Sequence, residues 1–184
     1  DLLFEARSVA IIGASADPTK LGSSPLHAMR VLGFKGTISI VNPRYEELMG
    51  HRCYPSIAAL PDGIEIAMII VPAAAAVDAA EELAARGVRA IVMIPQGFGE
   101  AGPEGALLDR RLQALAAQGV AITGPNTNGL ANIASRLALP PPPVLPYEGR
   151  VPPGRISGVP PSGAMGSPPP ARLGQGGPGS GQKV

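Results

Sequence analysis

Five short apolar runs, each closed by glycine, by proline or by a turn, constrain this chain more than any other feature. They are Ser8–Gly13, Thr37–Val41, Ile66–Val71, Val88–Ile94 and Val120–Thr123. All are too short for a helix, and their apolar residues are consecutive rather than alternate. A strand reads this way when both of its faces are buried. The stretches between carry helix signals. Ser23 or Ser24 can cap one helix, with Pro25 in its first turn and Gly33 after its end. Ala73 to Arg86 is alanine-rich and stops at Gly87, and Pro103 to Gln118 stops at Gly119. Residues 45–63 are expected to connect the second and third strands through two short helical stretches, around Glu46–Leu48 and Ser56–Leu60. Buried strands alternating with helices predict an α/β fold. We expect a Rossmann-like parallel sheet of five strands, or slightly more, with helices on both faces. Right-handed crossovers then place every strand's C-terminal end along one edge, where such sheets bind ligands.

Composition agrees and narrows the function classes. The chain has 184 residues, of which 45% are hydrophobic but only 3% aromatic, with no tryptophan. Its core must therefore be built from Ala, Val, Ile and Leu. A net charge of +1 gives no electrostatic reason to expect nucleic acid or an acidic membrane surface. No run approaches the roughly 18 apolar residues of a membrane span, and no secretory leader is expected. The single cysteine, Cys53, excludes an internal disulfide and favours a reducing, cytoplasmic setting. A start at Asp1 is expected to reflect a trimmed N-terminus. From Pro140 onward the chain holds 13 of its 22 prolines, so residues 140–184 are expected to be linker and irregular structure.

The loops after the strands carry the chemistry. Gly13-Ala14-Ser15 opens the first, which continues to Lys20-Leu21-Gly22 ahead of the first helix. Gly13 can turn tightly, Ser15 offers a hydroxyl, Lys20 a positive charge, and Gly22 leaves room at a helix N-terminus. Free backbone N–H groups there favour phosphate. The spacing is not G-x-G-x-x-G, but because several features agree we read the loop as a phosphate site rather than an ordinary Gly-rich βα turn. The second strand runs into Asn42-Pro43-Arg44, where NAD sites usually place an acid. Arg44 suits a phosphorylated ribose, as in NADP or coenzyme A, or is simply a solvated loop arginine. Val71-Pro72 can lie against an adenine or merely end a strand. Gln96-Gly97 and Asn126 follow the fourth and fifth strands; Glu100 reads as a solvated acid.

In order, Gly13-Ala14-Ser15, Lys20-Leu21-Gly22, Gly33-Phe34-Lys35-Gly36, Val41-Asn42-Pro43-Arg44, Cys53-Tyr54-Pro55-Ser56, Val71-Pro72, Gly97-Phe98-Gly99-Glu100 and Gly124-Pro125-Asn126 form a series. The series resembles the coenzyme A-binding domain of NDP-forming (ADP-forming) acyl-CoA synthetases, relatives of the succinyl-CoA synthetase α subunit. That resemblance implies a cofactor site made of Gly13, Ser15, Lys20 and Gly22 at the diphosphate and Arg44 at the 3′-phosphate. It implies Val71 and Pro72 at the adenine, with Gln96, Gly97 and Asn126 along the pantetheine arm. Thr127-Asn128 stands where the family often has Cys-Leu. The implied partners are coenzyme A or acyl-CoA and the remaining synthetase domains or subunit, with a homo-oligomer compatible. ATP, ADP and Mg would engage only those other domains.

The expected organisation is a binding domain over 1–136, a linker over 137–153, and over 154–184 a truncated start of a succinyl-CoA-ligase-like second domain. Pro160-Pro161 precede Ser162-Gly163, where that family shows a strand, so no site residue is assigned there. No catalytic or metal residue is expected in this chain. His27 reads as a helix-face residue, His51 as a solvated loop residue and Cys53 as structural; none has the spacing of a metal site or a catalytic triad. Two rival readings fit part of the pattern. One is an NADP-dependent oxidoreductase domain. The other is a non-catalytic coenzyme A-binding regulatory module, such as one attached to a protein acetyltransferase.

Overall fold

Each apolar run becomes a strand; the first four are largely buried, whereas the last, at the sheet edge, is half-exposed. The computed structural model of the chain describes residues 5–132 and 134–139. The parallel strands are β1 (Ser8–Ile12), β2 (Thr37–Val41), β5 (Ile66–Ile69), β6 (Ala90–Met93) and β7 (Ala121–Thr123), with β4 (His51–Tyr54) beside β2. A seventh strand, β3 (Glu47–Leu48), closes the sheet antiparallel to β4. The order is β3-β4-β2-β1-β5-β6-β7. Three helices, α1 (Ser24–Leu32), α2 (Ala73–Ala85) and α3 (Pro103–Ala117), follow β1, β5 and β6. The Rossmann-like fold read from the sequence is borne out, with two more strands than the five named.

Successive residues of each strand feed opposite cores. Val9 and Ile11 of β1 join Ile66 and Met68 of β5, covered by Leu26 and Met29 of α1. Ala10, Ile12, Ala67 and Ile69 face the other way, under α2 and α3. Each fully buried Ile, Leu or Met contributes about 1.5–3 kcal/mol. The buried face of α2 is largely alanine, at Ala76, Ala79 and Ala80, which lets the helix lie close to the sheet. Among the described residues no helix is long and apolar enough to cross a membrane.

Three sequence expectations are corrected. The stretch around Glu46–Leu48 is strand rather than helix. Leu48 and His51 pair across a two-residue turn in which both Met49 (φ 53°) and Gly50 (φ 84°) are left-handed. That turn matches the twist of a hairpin, and a methionine in its first position hides the usual signal. His51 is accordingly a half-buried strand residue, not a loop residue. The linker expected from 137 begins with a strand. β8 (Leu130–Asn132) and β9 (Leu137–Leu139) form a hairpin, and Leu137 and Leu139 are fully buried in the core beneath α1. The rest of the expected linker and the expected second-domain start at 154–184 lie outside the described residues. Cys53 is buried on β4, and that burial pushes its thiol pKa up.

One ion-pair cluster joins α2 to α3. Arg111 donates from Nε and Nη2 to the two Glu81 oxygens, at 2.8 and 2.7 Å, and from Nη2 to Asp78 Oδ1 at 2.7 Å. The Arg111 hydrogen bonds hold the Glu81 carboxyl below its usual range. A depressed carboxylate pKa stabilises the fold above the unfolded value of about 4.3, and that stability is lost as pH falls through the folded value. Thermal melts of Glu81→Gln across the acid range should show a flatter acid limb than the parent. The difference at neutral pH should be about 1 kcal/mol or less, because the pair is exposed. An unchanged acid limb would count against this role for Glu81.

Candidate functional site

Because the central strands are parallel, the loops after β1, β2, β5, β6 and β7 share one edge of the sheet. From β1 the chain moves outward to β2 and β4, then returns to pair β5 on the other side of β1. The loops after β1 and β5 therefore meet at the strand-order switch point, where ligands of such sheets bind.

The loop after β1 is folded on itself. Gly13 turns the chain at φ 93°, and a Cβ there would lie 2.9 Å from Val71 Cγ1. A Cβ on Gly22 would lie 2.4 Å from the Gly13 carbonyl oxygen and 2.9 Å from the Ser15 nitrogen. Ser15 N–H donates to the Gly22 carbonyl at 3.1 Å, closing the loop. Ser15 Oγ accepts from Asp17 N–H at 3.1 Å, leaving the hydroxyl proton to donate. Asp17 Oδ1 accepts from both the N–H and the hydroxyl of Thr19, at 2.9 and 2.6 Å. Those bonds, with the Lys20 charge nearby, hold the Asp17 carboxyl below its usual range. Lys20 is exposed at the end of this turn. Among the described residues, the backbone N–H groups of Ala14 and Ala16 donate to no acceptor. The hydroxyl cap expected at α1 does not form, because Ser23 Oγ donates instead to the Lys20 carbonyl at 2.9 Å.

Across β2, Arg44 is exposed, and its guanidinium makes no hydrogen bond or ion pair among the described residues. Its backbone N–H donates to Asn42 Oδ1 at 2.9 Å. Asn42 Nδ2 in turn donates to the Ala14 carbonyl at 2.7 Å. The sequence pattern gives Asn42 no contact of its own beyond its place in the Val41-Asn42-Pro43-Arg44 motif. Its one signal was a short amide, rather than an acid, at a strand end.

On the far side of the switch point, Val71 is half-buried and Pro72 leads into α2. Gly97 is left-handed at φ 103°, and a Cβ there would sit 3.5 Å from Ala73 Cβ, so the loop after β6 lies beside the start of α2. Gly97 N–H donates to Glu100 Oε1 at 2.7 Å. Backbone N–H groups, that of Gly97 foremost, hold the Glu100 carboxyl below its usual range, so this acid braces its own loop. Gln96 is exposed beside it. Asn126, left-handed at φ 54°, donates its N–H to the Pro95 carbonyl at 3.1 Å and joins the loops after β6 and β7. The structure thus brings Gly13, Ser15, Gly22 and Val71 together, links Arg44 to them through Asn42, and gathers Gln96, Gly97 and Asn126 one strand further on. A hollow of about 760 Å³ lined by Arg7, Phe34 and Lys35 lies at the opposite edge and contains none of them.

A doubly wound parallel sheet with a glycine-turned loop after its first strand and free donors at the switch point defines an α/β domain for a phosphorylated nucleotide cofactor. The chain belongs to the CoA binding domain family, whose model matches residues 7–132. It is 39% identical over 150 residues to acetate–CoA ligase (ADP-forming) I of Archaeoglobus fulgidus, covering 81% of this chain and 22% of that protein. It is 36% identical over 138 residues to the alpha subunit of acetate–CoA ligase (ADP-forming) II of Pyrococcus furiosus, covering 74% of this chain and 30% of that one. Among solved structures, the dinucleotide forming acetyl-coenzyme A synthetase 1 of Ca. Korarchaeum cryptofilum, in its apo form, matches with a TM-score of 0.70. That match has 34% identity and covers 76% of this chain and 31% of the other. The chain therefore spans less than a third of the length of each of these proteins. The family expected from the motif series is the one found.

Proposed function

We propose that this chain is the coenzyme A-binding part of a larger ADP-forming acyl-CoA ligase. The whole protein would interconvert acyl-CoA, ADP and phosphate with acid, ATP and coenzyme A. The observation that carries the reading is the Gly13–Gly22 loop tied through Asn42 to Arg44, which has no side-chain partner among the described residues, at one sheet edge in a chain of the CoA binding domain family.

The residues present fit the cofactor. The exposed Ala16 N–H group, the Ser15 hydroxyl and the Lys20 ammonium supply donors for a diphosphate. Gly13 and Gly22 keep that loop free of side chains. Arg44 supplies a guanidinium for the 3′-phosphate, and Asn42 stands where an NAD site would carry an acid for the ribose. Val71 and Pro72 offer an apolar surface to the adenine. Gln96, Gly97 and Asn126 guide the pantetheine arm along the edge. Bound coenzyme A supplies the thiol that accepts the acyl group. The chain's own contribution is to hold and orient that thiol rather than to transfer protons. ATP, ADP, Mg and the acyl substrate are assigned to the rest of the protein.

Calorimetry with coenzyme A, 3′-dephospho-coenzyme A, NADP and ADP tests the reading. Coenzyme A should bind best, and loss of its 3′-phosphate should cost about 1–3 kcal/mol, as for a charge-assisted contact. Arg44→Ala should erase most of that difference. Equal binding of NADP, or a variant that still separates the two coenzyme A forms, would overturn the assignments of cofactor and of Arg44 respectively. Alone, the chain should form no thioester from acid, ATP and coenzyme A.

A further inference from the structure

We infer that Asn42 is a positioning residue that sets Arg44 against the phosphate loop, so that the two phosphate ends of one cofactor are recognised as a unit. The inference rests on the cofactor assignment proposed above. The Asn42 carboxamide is a rigid plane with a donor on one side and an acceptor on the other. Nδ2 donates to the Ala14 carbonyl across 28 residues of sequence, at 2.7 Å, and Oδ1 accepts the Arg44 N–H at 2.9 Å. The Ala14 carbonyl belongs to the same planar peptide as the Ser15 N–H, which donates to Gly22. That peptide is therefore pinned at both ends, by Gly22 and by Asn42. Asn42 is itself anchored, since its N–H donates to the Tyr54 carbonyl on β4 at 3.0 Å. The neighbouring Val41 carbonyl accepts the Gly13 N–H at 3.1 Å. The backbone of Arg44 and the diphosphate loop are thus one carboxamide apart.

Other residue types fail at this position for stated reasons. Aspartate keeps the acceptor for Arg44 but cannot donate to Ala14, and it sets a carboxylate against a carbonyl oxygen. Alanine loses both bonds. Glutamine keeps both groups, but its extra methylene breaks the two-residue turn to Arg44.

The test is the ratio of affinities for coenzyme A and 3′-dephospho-coenzyme A, measured by calorimetry on the full chain. Asn42→Ala should lower that ratio by about fivefold, the effect of about 1 kcal/mol expected for one neutral hydrogen bond. In an Arg44→Ala background the same change should leave the ratio where Arg44→Ala put it. A purely structural role would weaken both ligands equally and keep the parent ratio, and that result would overturn the inference. A parent chain with a ratio of one would instead overturn the assignment of Arg44 beneath it. Nuclear magnetic resonance on the unmutated, nitrogen-15-labelled chain supplies a readout independent of variant folding. The Asn42 side-chain amide and Arg44 backbone amide signals should shift together with coenzyme A, and less with the 3′-dephospho form. Signals that respond identically to both ligands would overturn the inference.

Discussion

A Gly22→Ala variant is expected to lose coenzyme A affinity by about fivefold to 150-fold, the range set by 1–3 kcal/mol of overpacking. The added methyl group would meet the Gly13 carbonyl oxygen at 2.4 Å and the Ser15 nitrogen at 2.9 Å. Both are backbone atoms of the loop assigned to the diphosphate, so no side chain can swing aside to relieve the contact. The loop must open, and with it goes the Ser15–Gly22 hydrogen bond that closes it. Binding should therefore suffer even where the fold survives. Calorimetry with coenzyme A, beside a thermal melt, separates the two effects. Parent-like affinity in a folded variant would show that this loop does not hold the cofactor.

The second large effect falls on stability. Gly105 lies in the first turns of α3, where alanine in an open helix would stabilise by about 1 kcal/mol. Here the sign reverses. A Cβ on Gly105 would lie 1.7 Å from the Phe98 carbonyl oxygen and 2.9 Å from the Phe98 Cα. Phe98 is only 1% exposed and anchors the loop between β6 and α3 in the core. Neither the helix nor the loop can move without unpacking that ring. Gly105→Ala should destabilise the fold by about 3 kcal/mol, the upper part of the overpacking range, and lower the melting temperature by roughly 10 °C. A variant as stable as the parent would show that α3 is free to shift against the loop.

What was legible in the chain depended on how local its cause was. β1, β2, β5 and β6 announce themselves because burial on both faces demands consecutive apolar residues, and β7 follows the buried Val120 at the sheet edge. The three helices do so through Pro25, Gly33, Pro103 and the glycines after α2 and α3. The β3–β4 hairpin was hidden because its shorter strand has two residues and its turn forces a methionine into a left-handed conformation. β9 was hidden because its burial comes from α1, far back in the sequence, while prolines follow it directly. The same holds at the candidate site. Glycines at 13 and 22 declare close backbone approach by type alone, and Gly97 a left-handed turn. The tie made by Asn42 involves a carbonyl 28 residues away, and nothing in the local pattern of Val41-Asn42-Pro43-Arg44 points to it.

The alanine face of α2 works as a lever arm. Ala76 and Ala80 are fully buried against the sheet, and the helix begins directly after Val71 and Pro72. A bulkier side chain at either position would lift the whole rod, and the end that starts at the ligand edge would swing with it. Substitutions well away from the proposed cofactor site would therefore shift it without changing any residue assigned to the contact. On the proposed assignment, cofactor affinity would become a gauge of how closely one helix hugs the sheet.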